Sequence, residues 1–290
     1  MKVSGFTFVR NALKYDYPVV ESINSLLPIC DEIIVGLGNS EDETEALISS
    51  IQSPKLKIIP SVWDDNLREG GRVLAIETDK AFDAVAADSD WAFYLQADEV
   101  IHEKYLETIQ KAMLQYKDDD RVEGLLFKYL HFYGTYDYTG DSRRWYNREI
   151  RVIKNDKNIR SYRDAQGFRK HNKKLNVKLI DAYVYHYGWV KHPAHQKDKE
   201  KDVSKFWHSD QWIESNIKAT DLFDYSNVDS LNFFKETHPQ SMHQRIAQKN
   251  WQLDFDTKQK RFRKPKDRLL YWFEKQTGIR LFDYQNYKII

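Results

Sequence analysis

Residues 91–101 read WAFYLQADEVI, an apolar and aromatic run that meets two adjacent carboxylates, Asp98 and Glu99, where it ends. In open α/β sheets, ligands collect outside the carboxyl ends of the strands. A carboxylate pair there suits a hard divalent cation, Mn²⁺ or Mg²⁺, which takes oxygen ligands and shares its shell with substrate phosphates. The plainer alternative is that the two acids cap the helix that follows. Cations stand at comparable places. Arg10 follows the first apolar run, and Arg72 opens a helix after Gly70-Gly71, a pair that permits close backbone approach. Arg143, Arg144 and Trp145 share a polar stretch, and a ring beside a guanidinium suits a sugar or an anionic leaving group. Each of these is equally a solvated charge, or a loop aromatic packed on the core.

The elements that would position these residues follow a βα rhythm over the first hundred positions. Strands are expected at 3–9, 32–37, 56–62 and 91–96. The second, EIIVGL, is of the continuous apolar kind found in parallel sheets covered on both faces. Helices are expected from Pro18 to Leu27, after Ser40, over 72–87 and over 103–116, each with apolar residues at helical spacing. Ser40 and Glu43 read as a capping box. Strand–helix alternation at this spacing predicts a doubly wound, mostly parallel α/β sheet with helices on both faces. The rhythm then changes to longer strands, 123–134, 148–154 and 177–189, expected to be partly antiparallel. From Pro193 onward the pattern is helical, charged and dotted with aromatics. The expected division is a catalytic domain over 1–192 and a helical C-terminal extension over 193–290 packed on it.

Composition narrows the classes. The chain has 290 residues, 41% of them hydrophobic and 31% charged, and it is expected to be globular. A formal net charge of +1 provides no global field for nucleic acid, which is not expected as a partner. One cysteine, Cys30, allows no internal disulfide and argues for a reducing compartment. No stretch approaches the roughly 18–20 apolar residues of a membrane span, and the first residues lack a signal-peptide pattern. A cytoplasmic protein is expected. The tail KQKRFRKPKDRLLYWFEKQ joins a basic run to an aromatic helix, which suits contact with an anionic membrane surface. The favoured alternative is that Leu269, Leu270, Trp272 and Phe273 bury against the sheet.

Three motifs stand in register: FVRNA (8–12), DEIIVGLGNSEDET (31–44) and DWAFYLQADEV (90–100). In order and spacing they resemble the family 2 glycosyltransferases of the GT-A fold, in the bacterial branch with a DWxxxLDADE-like motif. NREIRVIKN and VYHYGWVK resemble that family's later landmarks. The resemblance implies a GT-A-like fold and inverting transfer of a hexose-type sugar from a nucleotide-diphosphate donor. The implied acceptor is a cell-envelope glycan or lipid-linked molecule in polysaccharide biosynthesis, and peripheral contact with the inner face of the membrane is the option that the tail adds. It also implies roles. Asp98, at the last Asp of DxD, and His186, on a late strand, would hold the divalent cation; a core histidine is the alternative for His186. Phe8, Arg10, Gly38, Asn39, Asp42, Arg72 and Gln96 would face the donor, Arg143 and Trp145 the acceptor, and Asp164 would be the general base, with Glu99 as its rival.

The chain departs from the family at two places. Gln96 stands where the first Asp of DxD is expected, which removes a negative charge and lowers the expected cation affinity. Leu37 replaces an Asp that would meet the nucleoside, so Gly38 and Asn39 would contact the donor through backbone groups. These departures motivate the alternative of a catalytically inactive sugar-nucleotide-binding or scaffold protein. A nucleotidyltransferase ranks last, because FVRNALKYD lacks the glycines of a phosphate loop.

Overall fold

The computed structural model describes residues 1–262 and 264–290. Arg263, part of the tail's basic run, lies outside the described residues. The strands are β1 Val3–Val9, β2 Glu32–Gly38, β3 Leu56–Ser61, β4 Trp91–Tyr94, β5 Glu99–Ile101, β6 Gly124–Tyr133, β7 Thr135–Gly140, β8 Arg148–Lys154, β9 Ile159–Tyr162, β10 Gly167–Lys170, β11 Lys173–Lys174, β12 Asn176–Trp189, β13 Leu231–Phe233 and β14 Lys288–Ile289. The helices are α1 Val19–Leu26, α2 Thr44–Ser49, α3 Arg72–Asp83, α4 Leu106–Tyr116, α5 Pro193–Ser204, α6 Asp210–Asn216, α7 His243–Ala247 and α8 Pro265–Thr277.

Strands β3, β2, β1 and β4 lie side by side and parallel. All residues of β1, β2 and β4 are buried, as continuous apolar strands require when both faces are covered. At the edge, β3 carries Pro60, whose missing N–H is tolerated there. Successive residues feed opposite cores. Val3, Ile33, Val35 and Phe93 pack with α1 and α4, whereas Phe6, Ile34, Ala92 and Tyr94 pack with α3 and Phe168 of the small β9–β10–β11 sheet. Beyond β4 the sheet turns mixed: β8 is antiparallel to β4 and to β6, while β12 runs parallel to β6. This is the expected mostly parallel sheet with helices on both faces and a later antiparallel portion.

The fourth strand stops at Tyr94, short of the expected Gln96. Leu95–Asp98 turn the chain, and β5 leaves in a new direction, antiparallel to β12 with Glu99 opposite His186. The two carboxylates therefore part company. Glu99 points into the interior, where Arg151 Nε and Nη2 each donate to it at 2.7 Å and Tyr129 Oη donates at 2.8 Å. Both members of that ion pair are essentially without solvent exposure. The Arg151 guanidinium also lies over the rings of Tyr94 and Tyr129. The notion of Glu99 as a rival base is thereby corrected: its oxygens are committed to Arg151 and Tyr129.

Other local expectations shift. Asp42, not Ser40 with Glu43, caps α2, accepting from the Thr44 backbone N–H at 3.1 Å. Ser40 Oγ instead accepts from Asn11 N–H at 3.0 Å. The C-terminal part is less helical than its pattern predicts. Extended segments separate α6, α7 and α8, and β13 and β14 join the main sheet through β7 and β12. The tail helix does not bury as favoured: Leu269 is 64% and Trp272 58% exposed, and Phe282 beyond it 86%. Polar contacts dock it instead, with Tyr271 Oη donating to Asp141 at 2.5 Å and Arg143 pairing with Glu274 at 2.9 Å. No helix among the described residues is long and apolar enough to cross a membrane.

Because breaking a buried ion pair strands the remaining charge, Glu99→Gln or Arg151→Met should each cost about 3–5 kcal/mol in urea denaturation. The double change Glu99→Leu/Arg151→Met should cost less than either single one, since apolar replacement of both partners leaves no unpaired charge. Additive losses would contradict this coupling.

Candidate active-site pocket

A cavity of about 780 Å³ opens beyond the carboxyl ends of β1 and β4, a size that accommodates a small-molecule ligand. Phe8, Arg10 and Asn11 come from the end of β1, and Gln96, Ala97 and Asp98 from the turn after β4. Glu149 and Arg151 enter from β8, Asp164 and Gln166 from the β9–β10 turn, and His186 from β12. Lys199, Asp202, Phe206 and Trp207 close it from α5 and the residues after it.

Asp98 is freed for this pocket because Glu99 is bound behind it. Burial opposes its ionisation, but the surroundings, the Lys199 ammonium foremost, outweigh burial and hold the carboxyl well below the usual range. Lys199 Nζ donates to Asp98 Oδ2 at 3.1 Å and to the Gly188 carbonyl at 3.1 Å. Gly188 has no room for a side chain, since a Cβ would stand 2.7 Å from Asp98 Oδ2 and from the His186 ring. Beside these, Lys191 is wholly buried; it donates to the Tyr15 carbonyl at 2.9 Å, and burial first, then Lys199, push its pKa down.

His186 Nε2 is 3.8 Å from Asp98 Oδ1, and its Nδ1 is 3.1 Å from Nδ1 of His131. His131 Nε2 meets the Tyr146 carbonyl at 2.7 Å. A carbonyl only accepts, so His131 must donate there and accept at Nδ1 from His186. Burial lowers the pKa of both rings, which favours the neutral forms this chain of bonds needs. The network thus assigns His186 the tautomer with Nε2 unprotonated beside Asp98.

A divalent cation is tested by these same residues. They provide one carboxylate and one imidazole, with neutral Gln96 where a second carboxylate would stand. No group of three or more His, Cys, Asp or Glu able to hold a metal occurs among the described residues. An ammonium already occupies Asp98. As arranged, the residues do not fit a resident divalent cation, and the expectation for Asp98 and His186 changes accordingly: they are adjacent, but the partner of the carboxylate is Lys199.

Asp164 sits between two residues in the left-handed region, Arg163 and Ala165. Such strain persists only where the surroundings hold it. Its Cβ and the Trp207 ring crowd Gly71 so closely that a Cβ there would lie 2.6 and 2.7 Å from them. Burial raises the Asp164 pKa above its ordinary value. Glu149 is more deeply buried, with Oε2 unpaired, and burial pushes its carboxyl up to about 8. At neutral pH it is mainly protonated and can donate a hydrogen bond.

Rings form another part of the wall. Phe8 packs on Trp63 at 5.6 Å between centroids, and Trp63 on Phe206 at 5.8 Å. Arg10 lies over Trp63, donates to the Asn39 carbonyl at 3.1 Å and pairs with Asp65 at 2.5 Å.

Several expected contacts lie elsewhere. Arg72 is exposed and outside the pocket lining. Arg143 is tied to Glu274 of α8, and Trp145 is buried against His131 and Tyr133, so neither faces an acceptor; a loop that looks free along the chain is covered by α8. Asp42 is used up in capping and in accepting from Lys14 N–H at 2.8 Å. Gly38 is buried beneath Trp63 and Arg10, and Asn39 accepts from the Trp63 N–H at 3.1 Å; both support the wall from behind. Residues not anticipated are Lys199, Glu149, Trp63, His131 and Phe206. Trp63 alone had a usable signal, a lone ring just past the third strand. The others lie in segments whose local pattern says only strand or charged helix.

No protein-family model matches the chain, and a search of curated proteins finds no match. Solved structures do resemble it, at a distance. One is S. aureus TarS 1-349 in complex with UDP-GlcNAc, 14% identical, with a TM-score of 0.41 over 76% of this chain and 68% of that one. The chain spans only 38% of a longer S. aureus TarS structure, at 17% identity and a TM-score of 0.39 over 69% of its own length. Another is glucosyl-3-phosphoglycerate synthase from Mycobacterium tuberculosis in complex with Mn²⁺, UDP and phosphoglyceric acid, 17% identical, with a TM-score of 0.29 over 45% of this chain and 43% of that one.

Proposed function

We propose that the chain is a glycosyltransferase that moves a hexose-type sugar from a nucleoside-diphosphate donor to a hydroxyl acceptor with inversion. The observation that carries this reading is the meeting, in one cavity at the carboxyl ends of β1 and β4, of a ring-lined wall, the Lys199 ammonium beside Asp98, and a half-buried carboxyl, Asp164, flanked by two residues in the left-handed region. In this reading the nucleoside lies against Phe8, Trp63 and Phe206. The diphosphate faces Arg10 and Lys199, and Gln96 donates its amide to a donor hydroxyl. The acceptor oxygen attacks the anomeric carbon while the bond from that carbon to the phosphate oxygen breaks. Asp164 takes the hydroxyl proton, and the nucleoside diphosphate leaves with the electron pair.

The reading without catalysis, a sugar-nucleotide-binding scaffold, draws on Gln96 and on the ammonium that occupies Asp98. Titration calorimetry against UDP, GDP, ADP and CDP should find micromolar to millimolar binding of one of them; binding to none would remove both readings. Hydrolysis or transfer from the matching nucleotide sugar separates the two. Asp164→Asn should lower kcat by about 10²–10⁴-fold while changing donor affinity little. A base works only when ionised, so wild-type kcat should rise as pH climbs through the elevated Asp164 pKa. Asn at this position should flatten that limb.

For acceptor and location, the support comes from the tail. Leu269, Trp272 and Phe282 are exposed beside Lys264, Lys266 and Arg268, an apolar and basic surface that suits an anionic membrane, where lipid-linked acceptors reside. Co-sedimentation should occur with phosphatidylglycerol vesicles and not with phosphatidylcholine, and Leu269→Ser/Trp272→Ser/Phe282→Ser should abolish it. Equal recovery in the supernatant with both lipids would remove the membrane from the proposal.

A further inference from the structure

We infer that Lys199, and not a divalent cation, is the positive charge this pocket offers to a diphosphate, and that Lys199 excludes such an ion from Asp98. The inference rests on the reading of the pocket as a diphosphate site. Three observations carry it. The ammonium lies 3.1 Å from Asp98 Oδ2, where it neutralises the one carboxylate a metal between Asp98 and His186 would draw on, and 3.1 Å from the Gly188 carbonyl. A lysine ammonium has three donors, so these two bonds leave a third for an anion, and Lys199 lines the cavity. Its position is also fixed: it stands on α5, its side chain is mostly buried, and the Tyr17 ring lies 4.8 Å from Nζ.

The charge balance points the same way. A Mg²⁺ or Mn²⁺ site draws on carboxylates and substrate phosphates to offset two positive charges. Here Gln96 leaves one carboxylate, and Lys199 already neutralises it. A divalent ion placed between Asp98 and His186 would meet the ammonium at close range in a buried setting, where like charges repel strongly. Lysine achieves the same neutralisation with one charge and without a second carboxylate, so Gln96 and Lys199 read as matched departures. Without Lys199, Asp98 Oδ1 and His186 Nε2, two acceptors 3.8 Å apart, would remain as a latent cation pair.

The test uses the full chain in two arms. Mn²⁺ uptake by the nucleotide-free protein, read from loss of the free-ion signal in electron paramagnetic resonance, should be absent in wild type and in Lys199→Arg. It should appear in Lys199→Met, with affinity at least about tenfold higher than wild type. Calorimetry with the nucleoside diphosphate that binds best should give affinities in EDTA and in Mn²⁺ within about threefold of each other in wild type. In EDTA, Lys199→Met should bind about 10–100-fold more weakly, with Lys199→Arg restoring part of the loss. Wild-type uptake of Mn²⁺, or diphosphate binding that requires it, would overturn the inference. If no nucleoside diphosphate binds, the sugar-nucleotide reading falls, while the resonance arm still decides whether Lys199 keeps the ion from Asp98.

Discussion

The arrangement of this pocket depends on one buried ion pair, Glu99 with Arg151. Two adjacent carboxylates at the mouth of a sheet repel each other and compete for the same cations. Here the conflict is resolved by geometry: the chain leaves β4, turns, and enters β5 so that consecutive side chains face opposite ways. Glu99 goes inward to a guanidinium held between Tyr94 and Tyr129, and Asp98 faces the cavity. A buried charge pair is a weak source of net stability but a strict constraint on arrangement. It fixes the direction of the turn, and with it every group that Asp98 meets.

What Asp98 meets comes from distant parts of the chain. His186 arrives on β12, which runs beside β5, and its ring orientation is relayed through His131 to the Tyr146 carbonyl. Lys199 arrives on α5, a helix whose sequence is merely charged and whose buried face is small. The residues after α5 then supply Phe206 and Trp207, which close the cavity opposite β1 and against Gly71. The region beyond residue 192 is thus more than a cover on the sheet. It contributes the cation and part of the aromatic wall, and two short strands tie it into the main sheet.

Much of the fold was legible along the chain. Continuous apolar strands separated by helices of 3.6-residue period left one economical arrangement, a parallel sheet covered on both faces, and β1, β2, β4, α1 and α3 lie close to where periodicity puts them. Short strands such as β5, β7 and β13 were not legible, because three to six residues carry too little pattern to be told from a loop. The tail failed for a different reason. Amphipathic spacing identifies an apolar face but not what covers it, and around α8 polar ties to Asp141 and Arg143 do the docking while Leu269 and Trp272 stay in solvent.

The candidate site divides along the same line. Local spacing by itself singled out the carboxylate pair Asp98 and Glu99 at a strand's mouth, while the choice of Asp98 and the weight on the neutral Gln96 came from the family resemblance; all of this is contained in one short segment. Which way each carboxylate faces, and that Asp98 is met by an ammonium, depended on contacts between residues 52 and 101 positions apart. For Arg143 and Trp145 the sequence left exposure and packing on the core equally open, and the fold covers them; Lys199 stands in a segment whose pattern says only charged helix, and it is mostly buried. Residue type and spacing specify what chemistry a segment can supply. Only tertiary packing sets the charges and the solvent around it, and electrostatic behaviour follows from those surroundings.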